Sequence, residues 1–181
     1  MSNAQVQTMY AIKDGTKTAP NAIAPPGFSF PIGRSSLQQV TDLTTGVVVP
    51  AGKIGWFYDL TGGGGGTGTE RITFPLVANA GVITWIGNTP SSSACAPGVS
   101  GRVYAVGYDT GKSILVVSPT NLTPVPFFSD IYGLVKIQFI KVGDRIEPLI
   151  SDRSGGVSVP PSVPGGAAQP ARRLNWRAIL N

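Results

Sequence analysis

Residues 52–112 read GKIGWFYDLTGGGGGTGTERITFPLVANAGVITWIGNTPSSSACAPGVSGRVYAVGYDTGK, and the reading of this stretch decides the fold. Four apolar runs, Trp56 to Leu60, Ile72 to Ala78, Val82 to Gly87 and Val103 to Tyr108, are short, rich in β-branched and aromatic residues, and bounded by Gly, Pro, Asn, Asp or Ser. They predict antiparallel strands. Asn79-Ala80-Gly81 has the length and chemistry of a hairpin loop between the central pair. Ile72, Phe74 and Leu76 are expected to lean against Ile83 and Trp85, because a half-covered sheet hides its large side chains on one face. After the last run, Asp109-Thr-Gly-Lys112 predicts a turn in which Asp109 bonds to the backbone two residues on and Gly111 takes a positive φ.

Composition points the same way. The chain has 181 residues, 24 of them glycine and 16 proline, and only 13% charged. Few charges and many turn formers argue for an all-β chain with long loops, in one domain able to bury a core. The formal net charge is +5, but Lys and Arg are scattered along the chain, so a nucleic-acid footprint is not expected. No apolar run reaches the roughly 18 residues of a membrane span. With no histidine and a single cysteine, the usual zinc sites, the Ser-His and Cys-His pairs and an internal disulfide are all excluded. Cys95 lies in the loop Ser-Ser-Ser-Ala-Cys-Ala-Pro-Gly and is read as an inert thiol.

Outward from the central stretch, Val6 to Ile12 predicts a first strand. The N-terminus lacks a charged region followed by an apolar one, so no signal peptide is read there, and the chain is expected to be a piece of a longer parent. Residues 19–34 form a proline-rich excursion, with Phe28 and Phe30 expected to pack it over the rim. Ser36 to Leu43 and Val47 to Val49 carry fainter strand signals. The glycine run 62–66 leads through Thr69-Glu70-Arg71 into a strand; it lacks the Gly-Lys-Ser/Thr ending of a phosphate loop and reads as a hairpin tip. Ser113 to Ser118 predicts a strand, Pro119 to Ser129 a loop, and Gly133 to Val142 and Arg145 to Ile150 a hairpin. The domain is expected to cover residues 1–153. Residues 154–171, mostly Gly, Ser, Val, Pro and Ala, predict a flexible linker. Residues 172–181 predict a short amphipathic helical tail, too short to be stable alone.

A loose repeat is visible. Tyr10-Ala-Ile-Lys-Asp14-Gly, Trp56-Phe-Tyr-Asp59-Leu-Thr-Gly and Tyr104-Ala-Val-Gly-Tyr-Asp109-Thr-Gly place their aspartates 45 and 50 residues apart, a spacing close to one propeller blade. Each aspartate is expected at a turn. The Asp-Thr-Gly-Lys ending resembles blades of the quinoprotein type.

The ordered string is more specific than any one motif. Gly55-Trp-Phe-Tyr-Asp-Leu60, then Gly68 to Arg71 with Glu70-Arg71, then Gly81-Val-Ile83, the Asn88-Thr-Pro to Cys95 loop, Gly101-Arg-Val-Tyr104 and the closing Arg172-Arg-Leu-Asn-Trp-Arg177 resemble the C-terminal region of the PilC/PilY type IV pilus assembly and tip-adhesin family. The resemblance covers most of the chain outside the proline-rich insert. It implies partial or modified β-propeller blades from a large secreted protein at the pilus tip or outer-membrane surface. It also implies a noncatalytic structural and adhesion role supporting pilus biogenesis, surface attachment and twitching motility. The implied partners are pilus-tip minor pilins, the upstream part of the parent, and a host or abiotic surface. The family's calcium loop has no match: Asp144, Glu147 and Asp152 are spaced by three and five residues, which fits no calcium loop, so no cofactor is expected. Two other readings stay open, a fragment of a quinoprotein-like propeller enzyme and a viral or phage β-domain.

Among single residues, Trp56, Trp85, Tyr104, Phe74 and Ile83 are expected in the core. Trp176, with Arg172, Arg173 and Arg177, is the candidate docking group, either onto the sheet or onto a neighbouring protein.

Overall fold

The run Val103-Tyr-Ala-Val106 lacks the apolar-polar alternation of a half-exposed strand, and the structure gives the reason: both faces of this strand are covered. The computed structural model describes residues 6–12, 31–60, 70–79, 81–90, 99–130, 133–142 and 145–162. Within them the chain is all-β. The strands in chain order are β1 (Gln7–Ile12), β2 (Gln38–Gln39), β3 (Gly55–Leu60), β4 (Arg71–Ile72), β5 (Val77–Asn79), β6 (Val82–Pro90) and β7 (Val99–Gly107). They are followed by β8 (Val116–Ser118), β9 (Asn121–Pro124), β10 (Phe128–Asp130), β11 (Leu134–Val142), β12 (Arg145–Asp152) and β13 (Val157–Ser158).

The strands pair as β1-β3-β2, as β10-β7-β6-β4 with β5 also on β6, as β11-β12-β13, and as the ribbon β8-β9. All pairings are antiparallel except that of β2 with β3. The β6/β7 pairing is the spine: it runs from Val82↔Gly107 to Pro90↔Val99, with Trp85 directly opposite Tyr104.

Alternate residues of this spine serve two cores. Trp85, Tyr104 and Val106 pack with Met9, Val40, Leu43, Trp56 and Leu60 against the β1-β3-β2 sheet. Ile86 and Val103 face the other way, onto Leu134, Ile137 and Ile150 of the β11-β12 hairpin. The spine sheet is thus sandwiched between two others. A smaller cluster of Leu37, Ile54 and Phe57 covers the outer face of β3. Burying each such aliphatic or aromatic side chain stabilises the fold by about 1.5–3 kcal/mol.

The β6/β7 layer needs two closely approached glycines. A Cβ on Gly87 would stand 1.7 Å from Glu70 Oε1, and one on Gly101 would stand 2.7 Å from Leu134 Cγ. The hairpin at Asn79-Ala80-Gly81 forms where its chemistry predicts: Asn79 pairs with Val82, and Gly81 has φ +84°.

Several expectations are corrected. The run Ile72 to Ala78 is two strands, because Pro75 cannot donate to a ladder and the chain bends at Phe74. Leu76 consequently points outward, 47% exposed, while Phe74 packs against the β11-β12 core. Asp59 is in mid-strand, not at a turn. Asp109 does lie in a turn, closed by Gly111 N–H donating to Gly107 O at 2.8 Å, with Gly111 at φ +63°. There the side chain that accepts from the backbone two residues on is Thr110, from Lys112 N–H at 3.3 Å. The presumed loop 119–129 contains β9 and the start of β10, whereas Val47 to Val49 form no strand. The described part of the presumed linker, residues 154–162, is paired: β13 adds to β12, Ser162 bridges Leu115, and Pro160 is buried. Asp14, Phe28, Phe30, the glycine run, Cys95, Asp144 and the tail 172–181 lie outside the described residues.

Candidate functional site

Glu70, Arg102 and Tyr104, three described members of the ordered string, converge. Strand alternation puts Arg102 and Tyr104 on one face of β7, and Gly87 and Trp85 on the matching face of β6. Strand β4 lies on the far side of β6, with Ile72 opposite Gly87. Glu70, two residues before Ile72, enters the space that Gly87 leaves open. Its side chain is completely buried.

Tyr104 O–H donates to Glu70 Oε2 at 2.9 Å, and Arg102 Nη1 donates to the same oxygen at 3.3 Å. Glu70 Oε1 has no hydrogen-bond partner among the described residues. Burial pushes the Glu70 carboxyl above the usual carboxylate range, against the pull of the Tyr104 hydrogen bond and the Arg102 charge. Burial also raises the Tyr104 phenol, and the neighbouring Glu70 raises it further. The Tyr58 phenol is raised by the same two causes in the same order.

Aromatic rings wall this group in. Tyr104 stacks on Trp85 with centroids 4.8 Å apart and planes within 7°. Phe127 lies 5.7 Å from Tyr104, and the Arg102 guanidinium sits 4.0 Å above the Phe127 ring. The carboxylate therefore ties β4 to β7 across the glycine of β6.

A second polar tie joins the spine to the outer hairpin. Asn88 Nδ2 donates to Leu134 O at 3.1 Å and to Thr73 Oγ1 at 3.0 Å, and Leu134 N–H donates to Asn88 Oδ1 at 3.2 Å. At the outer sheet, Asp59 accepts from Thr8 Oγ1 at 2.6 Å and Arg34 Nη2 at 2.7 Å. Partial burial raises the Asp59 carboxyl, and these two hydrogen bonds outweigh it, so the net shift is downward.

Described residues line surface clefts at two places. One, of about 250 Å³, is lined by the ends of β1 and β3 with Val49, Ile83, Tyr108 and Asp109. The other, of about 180 Å³, lies between Phe128, Leu134, Ile150 and the segment Ser158 to Pro161. Neither lining includes Glu70, Arg102 or Tyr104.

Of the predicted core residues, Trp56, Trp85 and Tyr104 are buried, whereas Phe74 and Ile83 are only partly buried, packed against the two main clusters. The candidate docking residues Trp176, Arg172, Arg173 and Arg177 lie outside the described residues. Sequence reasoning missed Glu70 and Asn88 as buried polar ties. For Glu70 a signal was present: period two places it on the side of Ile72, an apolar position.

No family model matches the chain, and no curated protein or solved structure matches it. Among the described residues no three His, Cys, Asp or Glu side chains gather as a metal would need, and no helix is long and apolar enough to cross a membrane.

Proposed function

We propose that the chain is a noncatalytic structural and adhesion module of a type IV pilus-associated protein of the PilC/PilY kind. Its stacked sheets act as modified propeller blades. The observation that carries this reading is the fate of the ordered string. Trp56, Leu60, Glu70, Ile83, Arg102 and Tyr104 are scattered over the stretch, yet in the fold they lie in one core or on the polar tie beside it. These residues belong to the sequence string that resembles the family, and their interlocking in space supports reading that string as a packing pattern. Face-to-face stacking of three antiparallel-rich sheets is also how neighbouring blades bury their faces.

In this reading the module sits outside the cell, at the pilus tip or outer-membrane surface, and presents sheet edges and rim loops to minor pilins or to the rest of the parent. Deleting residues 52–112 from the parent protein is expected to abolish surface piliation, attachment and twitching. Normal piliation and attachment in that strain, with the truncated parent exported at its usual level, would refute the proposal.

A further inference from the structure

Among the described residues, the larger cleft has an apolar floor and one charged side chain, Asp109, in its lining. Around it, Ile12 and Tyr108 are each more than half exposed, and neighbouring Val48 is 87% exposed. Such a mouth suits a segment that combines a large apolar side chain with positive charge and carries no acid. This chain contains one: residues 172–181, Arg-Arg-Leu-Asn-Trp-Arg-Ala-Ile-Leu-Asn, with three arginines and no carboxylate side chain.

The chain's exit leaves this cleft within reach. Ser162 bridges Leu115, and Val116 N–H donates to Pro161 O at 3.1 Å. Leu115 is two residues from Ser113, which bridges Val106 at the end of β7, next to the Tyr108-Asp109 turn. The described chain therefore ends against the segment that leaves the Tyr108-Asp109 turn. Trp176 is fourteen positions after Ser162, a reach of up to about 46 Å when extended. The smaller cleft is less suited: among the described residues its lining carries no charged side chain, and half of that lining is Ser158 to Pro161, just before the exit.

We propose that residues 172–181 dock back on their own chain, with Trp176 in the cleft between β1, β3 and the Tyr108-Asp109 turn, and the flanking arginines facing Asp109. This self-docking stands independently of the pilus reading. It turns the cleft into a site that a partner binding the tail would uncover, so that tail release and cleft exposure are one event.

The test uses the full chain and acrylamide quenching of tryptophan fluorescence. Trp56 and Trp85 are at most 1% exposed, so subtracting the signal of a Trp176→Phe variant isolates Trp176. The expected result is that Trp176 is shielded in the parent chain. Asp109→Lys should expose it, by shifting the docked-to-free ratio about tenfold, equivalent to about 1.4 kcal/mol. Arg177→Glu, a change in the tail itself, must do the same should Asp109→Lys fail to fold by near-ultraviolet circular dichroism. High salt should weaken the shielding. Equal quenching in the parent chain and both charge variants would overturn the proposal. So would exposure by Val159→Lys and not by Asp109→Lys, which would place the tail in the smaller cleft. Shielding that disappears on dilution would also overturn it, because the cleft would then belong to a second copy.

Discussion

Gly87→Ala is the sharpest probe of the polar tie. The new Cβ would stand 1.7 Å from Glu70 Oε1, 2.5 Å from Cδ and 2.8 Å from Cγ. Glu70 is completely buried and cannot swing into solvent without leaving the core. Displacing it breaks its bonds to Tyr104 and Arg102. Overpacking of this kind costs about 1–3 kcal/mol, and breaking a buried ion pair about 3–5 kcal/mol. Against this, alanine gains about 0.5–1 kcal/mol over glycine in a strand. The net expectation is a loss of about 3–7 kcal/mol, measured by urea unfolding followed through tryptophan fluorescence.

The decisive comparison is with Glu70→Ala, which removes the atoms that clash. Alone it should cost a similar amount, through the stranded Arg102 charge and Tyr104 hydroxyl. In its background, Gly87→Ala should be nearly neutral, so that the double variant is about as unstable as either single one and the coupling energy is about 3 kcal/mol. Strict additivity of the two losses, or a Gly87→Ala variant within about 0.5 kcal/mol of the parent chain, would refute the steric and electrostatic account together.

Other perturbations follow from the same geometry. Because the Glu70 carboxyl is raised in the fold, its contribution is fully present below the unfolded carboxylate value of about 4.3 and is lost as pH rises through the folded one. The difference in stability between the parent chain and Glu70→Gln should therefore move in favour of Glu70→Gln as pH rises above about 4.3, read from urea midpoints across a pH series. A difference that stays flat or moves the other way would exclude the shift. Asn88→Ala should cost about 2–3 kcal/mol by leaving the buried Leu134 N–H and C=O unpaired, and should accelerate hydrogen exchange at the Leu134 amide. Arg34→Ala breaks an ion pair whose arginine side chain is 50% exposed. Its cost should be under about 1 kcal/mol, seen as a small salt-sensitive shift in the urea midpoint.

What the sequence made legible was local. Strand existence and the Asn79-Ala80-Gly81 turn follow from runs of β-branched and aromatic residues broken by turn formers. The burial of Trp56, Trp85 and Tyr104 follows from size. Pro75 was equally visible, and splitting the run around it required only the missing N–H. The opacity begins where a residue's environment is supplied by a distant strand. Nothing near Glu70 announces that Gly87 leaves a hole opposite it, or that Arg102 and Tyr104 stand across that hole on β7. Those facts depend on register, which alternation alone leaves open by two residues in either direction. In the same way Asn88 reads as the start of the Asn88 to Cys95 loop until Leu134, 46 residues away, is brought against it within β6.

This difference explains why the ordered string carries information about fold more strongly than about binding. Glu70, Gly87, Arg102 and Tyr104 constrain one another: the carboxylate needs the missing Cβ, the guanidinium and the phenol at once, and changing any one strands the others in a low-dielectric interior. Residues coupled in that way cannot vary singly without a loss of stability, whereas Tyr108, Asp109 and Val48 on the cleft rim can. Diversity in what this scaffold binds is therefore expected at the cleft rim and in the tail, while the tie between β4 and β7 holds the strands of the spine sheet in register.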